Sequence, residues 1–326
     1  MAISRDVKIG YIAMAVVSFF WGTTYVVSKM GAQQMPGLFL AALRQLSSGL
    51  LMVGFFLAKG YRLPSLADLK KIGVQALLLI CIANGMLTWS LEYIGGGLAA
   101  VIAALVPLFV TLFSIWFTKS AKVTRWMMAG LLLGFAGVFT IFYDYIGKSA
   151  SDYFVVGIVM ALCSAVSWAA GTVYASRQKM TVEILFGVGL QMLIAGVVLL
   201  IASLATGRYI NPADFSATAW YVLAYLVSFG SILAYSAYVI AIKKLPPTLA
   251  SLYAYINPVV AVLLGWLLLN ERLSFSMALG TLVTIGGVYV VNREFKMQKK
   301  IKEDIVEEEA KKIVVSRKIG ESALCD

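Results

Sequence analysis

The chain of 326 residues is 61% hydrophobic and only 13% charged, against about 25% charged residues in a soluble globular domain, so its surface is not one that faces water. The net charge of +11 is spread over polar breaks between apolar runs, which argues against nucleic acid as a partner because no single basic stripe forms. There is no histidine, and Cys81, Cys163 and Cys325 lie far apart; no metal site, cofactor or disulfide is inferred, and an intramembrane enzyme would lack its usual general base.

The apolar runs are continuous and about 20 residues long, the length an α-helix needs to cross roughly 30 Å of hydrocarbon. They show no period-2 alternation, which disfavours a membrane β-barrel. In chain order the predicted spans are 9–30, 37–58, 72–94, 96–117 and 125–143, then 154–175, 183–205, 219–242, 248–269 and 274–292. The expected fold class is therefore an all-α integral membrane protein of ten transmembrane helices. The first run is longer than the apolar core of a signal peptide and lacks a small-x-small cleavage site, so it is read as retained.

Basic loops stay in the cytoplasm. With the N-terminus inside, the inside segments carry thirteen Lys and Arg, among them Lys59, Arg62, Lys70, Lys71, Lys119, Lys122, Arg125, Lys243 and Lys244, and the outside breaks carry four, Lys29, Lys148, Arg208 and Arg272. This predicts a multi-pass protein of the cell membrane with both termini cytoplasmic. Trp116, Trp126, Trp220 and Trp266 fall near predicted helix ends, where an indole prefers the headgroup layer; Trp21, Trp89 and Trp168 do not. After residue 293 the chain turns to alternating charge and reads as a charged cytoplasmic helix or a solvated tail, 294–326.

Two sets of five helices align at an offset near 150 residues. Trp21 pairs with Trp168; Phe39, Leu43 and Gly49 pair with Phe186, Leu190 and Gly196; Pro107 pairs with Pro258; Gly130 and Gly137 pair with Gly280 and Gly287. The predicted units are residues 1–146 and 147–293. Because five is odd, the second must enter the membrane from the opposite side, giving inverted repeats, the arrangement that lets a transporter alternate between two states of similar energy.

On Trp21-Gly22-Thr23, Arg44, Leu91-Glu92-Tyr93, Leu98-Ala99, Pro107, Asn257-Pro258 and Asn270-Glu271-Arg272-Leu273, the chain resembles the drug/metabolite transporter superfamily, specifically its ten-helix EamA branch, over residues 1 to about 293. The resemblance implies a substrate cavity between the halves, access alternating from side to side, and usually export of small metabolites. One departure is that Lys119-Ser120-Ala121 stands where the second half has Glu271-Arg272, so a symmetric role for that acid is not carried over.

Polar and aromatic residues inside the spans are the candidates for a shared cavity, since such atoms would be unsatisfied against lipid. Trp21, Thr24 and Tyr25 share a face with Ser28 at helical spacing. Asn84, Thr88, Trp89 and Glu92 follow in the third span, Trp168 and Thr172 in the sixth, Tyr235 and Tyr238 in the eighth, and Tyr253 and Asn257 in the ninth. The alternative is that these groups only hydrogen-bond between helices and fill space. Pro107 and Pro258 mark expected kinks, read as hinges or static bends. Arg44 and Glu92 both fall in the outer third of their spans and are expected to pair. Expected partners are a small-molecule substrate and the lipid bilayer, with a coupling proton and a second copy of the chain as further candidates. The leading function is a secondary transporter for a small amino acid-like, aromatic or amphipathic metabolite, an exporter by the resemblance. A sugar-phosphate or nucleotide-sugar exchanger is the runner-up.

Overall fold

A computed structural model describes residues 5–118, 124–146, 152–245, 253–269, 274–291, 293–294 and 297–298. The tail expected over 294–326 and the Asn270-to-Leu273 motif thus lie almost wholly or wholly outside the described residues. Among the described residues the chain is helical, with no strand. Its main helices are α1 (Arg5–Ala32), α2 (Gly37–Ala58), α3 (Leu66–Ser90), α4 (Gly96–Phe117), α5 (Arg125–Ile146), α6 (Asp152–Arg177), α7 (Ile184–Ala205), α8 (Ala217–Lys244), α9 (Tyr253–Leu269) and α10 (Phe275–Val291). Seven of these, α1–α4 and α6–α8, are long and apolar enough to cross a membrane, and α9 and α10 are shorter apolar helices.

Local chemistry sets the ends. Ser65 accepts a hydrogen bond from the Asp68 amide at 3.2 Å and starts α3 at Leu66, six residues before the predicted span; hydropathy alone missed this turn because Asp68, Lys70 and Lys71 are polar while the cap satisfies an otherwise orphaned amide. Ser216 caps α8 through the Ala219 amide at 3.0 Å. Thr124 and Ser274 cap α5 and α10 in the same manner at 3.2 and 3.1 Å. α2 and α7 are each 22 residues long, and each is followed by a glycine in the left-handed region, Gly60 at φ 83° and Gly207 at φ 66°, a conformation that side chains with a Cβ resist.

α3 and α8 are not uniform. Ala76–Asn84 in α3 and Leu226–Leu233 in α8 are π-helical, wide turns that recur at functional sites. α4 breaks after Ala103 and resumes at Val106, just ahead of Pro107, which lacks the amide needed to continue the ladder. α9 carries Pro258 inside an unbroken helix.

α2 lies along α7; α1 packs mainly on α8 and α9, and α6 mainly on α3 and α4. The closest approaches are made through glycine. A Cβ on Gly49 would stand 2.5 Å from the Leu193 Cα, and one on Gly196 would stand 2.5 Å from the Leu46 Cα. Likewise a Cβ on Gly130 would meet the Gly287 carbonyl oxygen at 2.6 Å, and one on Gly137 that of Gly280 at 2.5 Å. In both pairs the position number rises along one helix as it falls along the other, so α2 and α7, and α5 and α10, run antiparallel. Large apolar side chains such as Ile12, Phe19, Leu51, Leu132 and Phe275 face outward, as lipid contact requires. Trp116, Trp126, Trp220 and Trp266 are exposed as well.

Candidate functional site

Residues of α1, α2, α3, α4, α6, α8 and α9 surround a central cavity within which the centre of a water molecule can move through about 90 Å³. That is several times what one water needs. Of the residues expected from sequence, Trp21, Thr24, Tyr25, Asn84, Thr88, Trp168, Tyr235 and Tyr253 line it.

The aromatic part is a single cluster. Trp21 stands edge-on to Trp168 at 5.2 Å between ring centres and edge-on to Tyr253 at 5.2 Å, with Tyr238 at 5.0 Å. Trp168 reaches Tyr238 at 5.3 Å and Tyr235 at 6.1 Å. These separations and edge-on angles are those that ring quadrupoles favour. Hydrogen bonds fix the rings: the Trp21 indole donates to the Gly230 carbonyl at 3.2 Å, and the Tyr235 hydroxyl donates to Gln191 at 2.6 Å, whose amide donates to Gln75 at 2.8 Å. The Thr172 hydroxyl donates to the Trp168 carbonyl at 2.8 Å and sits 2.8 Å from the Tyr238 hydroxyl. Thr172 and Tyr238 thus stand behind the lining, holding the rings in place.

The other wall is polar. Gln45 donates to Asn84 at 3.1 Å, and the Arg44 Nε donates to the Ser231 hydroxyl at 2.7 Å. Arg44, Gln45, Ser28, Ser164, Gly230 and Ser231 line the cavity too. The buried amides Gln45, Gln75 and Gln191 were missed as site residues, although a Gln inside an apolar run is itself a signal of an interior position.

Three expectations are corrected. Arg44 and Glu92 do not pair: Glu92 forms its ion pair with Arg208 and accepts from the Gly37 amide at 2.6 Å. A loop cation and the free amide at the start of α2 reach the carboxylate, whereas Arg44 points across the cavity to α8. Trp89 does not line the cavity; it packs on Leu38, Ala41, Ala42 and Leu199, with the Arg208 guanidinium 5.0 Å from its ring centre. Asn257 is buried outside the lining, where its amide nitrogen, in the orientation that satisfies its surroundings, donates to the carbonyls of Ser18 at 2.9 Å and Tyr253 at 3.1 Å.

A model of the EamA-like transporter family matches residues 8–143 and again residues 155–293. The chain is 38% identical over 274 residues to "Uncharacterized inner membrane transporter YedA" of Escherichia coli (strain K12), covering 83% of this chain and 87% of that protein. It is 32% identical over 296 residues to "Uncharacterized transporter YvbV" of Bacillus subtilis (strain 168), with 88% and 92% covered, and 31% identical over 281 residues to "WAT1-related protein At3g02690, chloroplastic" of Arabidopsis thaliana, with 84% and 67% covered. A solved crystal structure aligns with 90% of this chain and 100% of its own at a TM-score of 0.63 and 20% identity, a likeness of fold alone. Matched twice along its length and closely related to proteins named as membrane transporters, the chain belongs to the EamA-like transporter family.

Proposed function

We propose that the chain is a secondary transporter that exports a small amino acid-like, aromatic or amphipathic metabolite by alternating access, with ten helices crossing the membrane as two inverted repeats and both termini in the cytoplasm. The observation that carries this reading is the central cavity, walled by both halves of the chain and floored by the Trp21–Trp168 ring cluster. The reciprocal glycine contacts support the inversion. Gly49 meets Leu193 and Gly196 meets Leu46, each residue touching the counterpart of the other's neighbour at an offset of 147, and such exchange of equivalent contacts is the signature of a two-fold axis. α1 packing on α8 and α9, while α6 packs on α3 and α4, follows the same rule.

A sugar-phosphate exchanger is the weaker reading, because a dianion would call for several cations and the described lining carries one, Arg44. Untargeted metabolite profiling of cells that make the protein against cells that lack it tests the proposal: one chemical class should accumulate in the medium and fall inside the cell. Unchanged pools on both sides would overturn it.

A further inference from the structure

Arg44 is 3% exposed and lies in an apolar helix, yet its guanidinium carries five donors and stays charged at any physiological pH. Among the described residues its one hydrogen bond runs from Nε to Ser231. Among the described residues no carboxylate pairs with it; Glu92 is held by Arg208, and Asp68 by Lys71. A buried ion without a counter-ion is costly in a low-dielectric interior, so a protein keeps one where something else supplies the opposite charge.

The surroundings leave room for that partner. Arg44 lines the cavity, and so does the next residue of the helix, Gln45. Gly230 packs against the guanidinium: a Cβ there would stand 3.0 Å from the Arg44 Nη2 and 3.2 Å from the Thr24 Cγ2, so a larger residue would press on the fork and turn it. The Ser231 bond orients the fork, and the planar pair of Nη donors matches a carboxylate through two parallel hydrogen bonds. The same lining continues into Trp21, Trp168, Tyr235 and Tyr253, a surface for an apolar or aromatic body.

We infer that Arg44 is the anion-recognising group of the cavity and that the substrate is a monocarboxylate carried on an apolar or aromatic body. This rests on the transport reading above and narrows it: metabolites without a carboxylate are excluded, and so are dianions.

Binding is measured by tryptophan fluorescence on the full chain in phospholipid nanodiscs, with 3-phenylpropionate, its amide and 3-phenylpropylammonium as probes of one shape and three charges. The acid should bind at least about tenfold more tightly than the amide, and the ammonium more weakly still. Arg44→Met should bring the acid-to-amide ratio close to one, and Arg44→Lys should restore part of it. Should Arg44→Met fail to fold, Ser231→Ala keeps the charge but frees the fork, and the ratio should fall severalfold. Equal affinity for acid and amide in the unaltered protein, no binding of any probe, or a ratio unmoved by the folded variants overturns the inference. Metabolite profiling separates the two levels. Export only of compounds that lack a carboxylate overturns the carboxylate and leaves transport standing; no export overturns transport, and the binding ratio still decides the anion preference.

Discussion

Trp21 touches Trp168, Tyr238 and Tyr253 and is anchored by its indole N–H to Gly230. Each such ring contact is worth about 1 kcal/mol, so Trp21→Ala or Trp168→Ala should lower transport by about tenfold while insertion and monodispersity persist. Normal uptake kinetics in both variants would assign the rings to packing alone. A second residue-scale expectation concerns the Glu92–Arg208 pair, which ties the turn after α3 to the loop before α8 and to the first amide of α2. In a double-mutant cycle of Glu92→Gln and Arg208→Met, thermal unfolding should report a coupling of about 1 kcal/mol, the scale of a partly exposed pair; additive losses would dissolve the clasp. The aromatic lining was legible in sequence because rings and hydroxyls inside apolar runs have few places to go. The partner of Glu92 was not, since Arg208 is 116 residues away in a segment whose fold only tertiary packing determines, and depth along a helix does not tell which way Arg44 turns.

At the scale of elements, glycine spacing decides how near two helices come. Gly49→Ala would drive a methyl into the Leu193 backbone and should destabilise the protein by about 2 kcal/mol, whereas Gly54, on the same helix with nothing within 4 Å of its Cβ position, should accept alanine neutrally or gain up to about 1 kcal/mol from helix propensity. Thermal unfolding in detergent checks the contrast, and similar losses at both sites would refute it. Helix existence and type followed from run length and were readable throughout the described chain. The wide turns over Ala76–Asn84 and Leu226–Leu233 were not, because their composition is that of any apolar helix. Nor was the difference between the prolines: α4 breaks ahead of Pro107 while α9 runs on through Pro258, and sequence marks both only as a missing donor.

For the whole molecule, the thirteen-to-four division of Lys and Arg sets the orientation to be tested. In a cysteine-free background, single cysteines at Lys70 and Asp214 should react with an impermeant thiol reagent from the cytoplasmic and the external face respectively; reaction of both from one face would overturn the ten-crossing topology. The proposed two-part organisation rests on matched residues at a fixed offset in the sequence, and on reciprocal contacts that needed coordinates. The wide turns in α3 and α8 lie in the walls between the two ends of the cavity, and each stores one surplus residue relative to an α-helix. If that surplus slips one step along the helix, the side chains it passes swing by about 100° about the helix axis, with neither end of the helix unwound. In α8 a slip past Ser231 would lift it from Arg44, so the tether of the charge would be released by a single sliding defect.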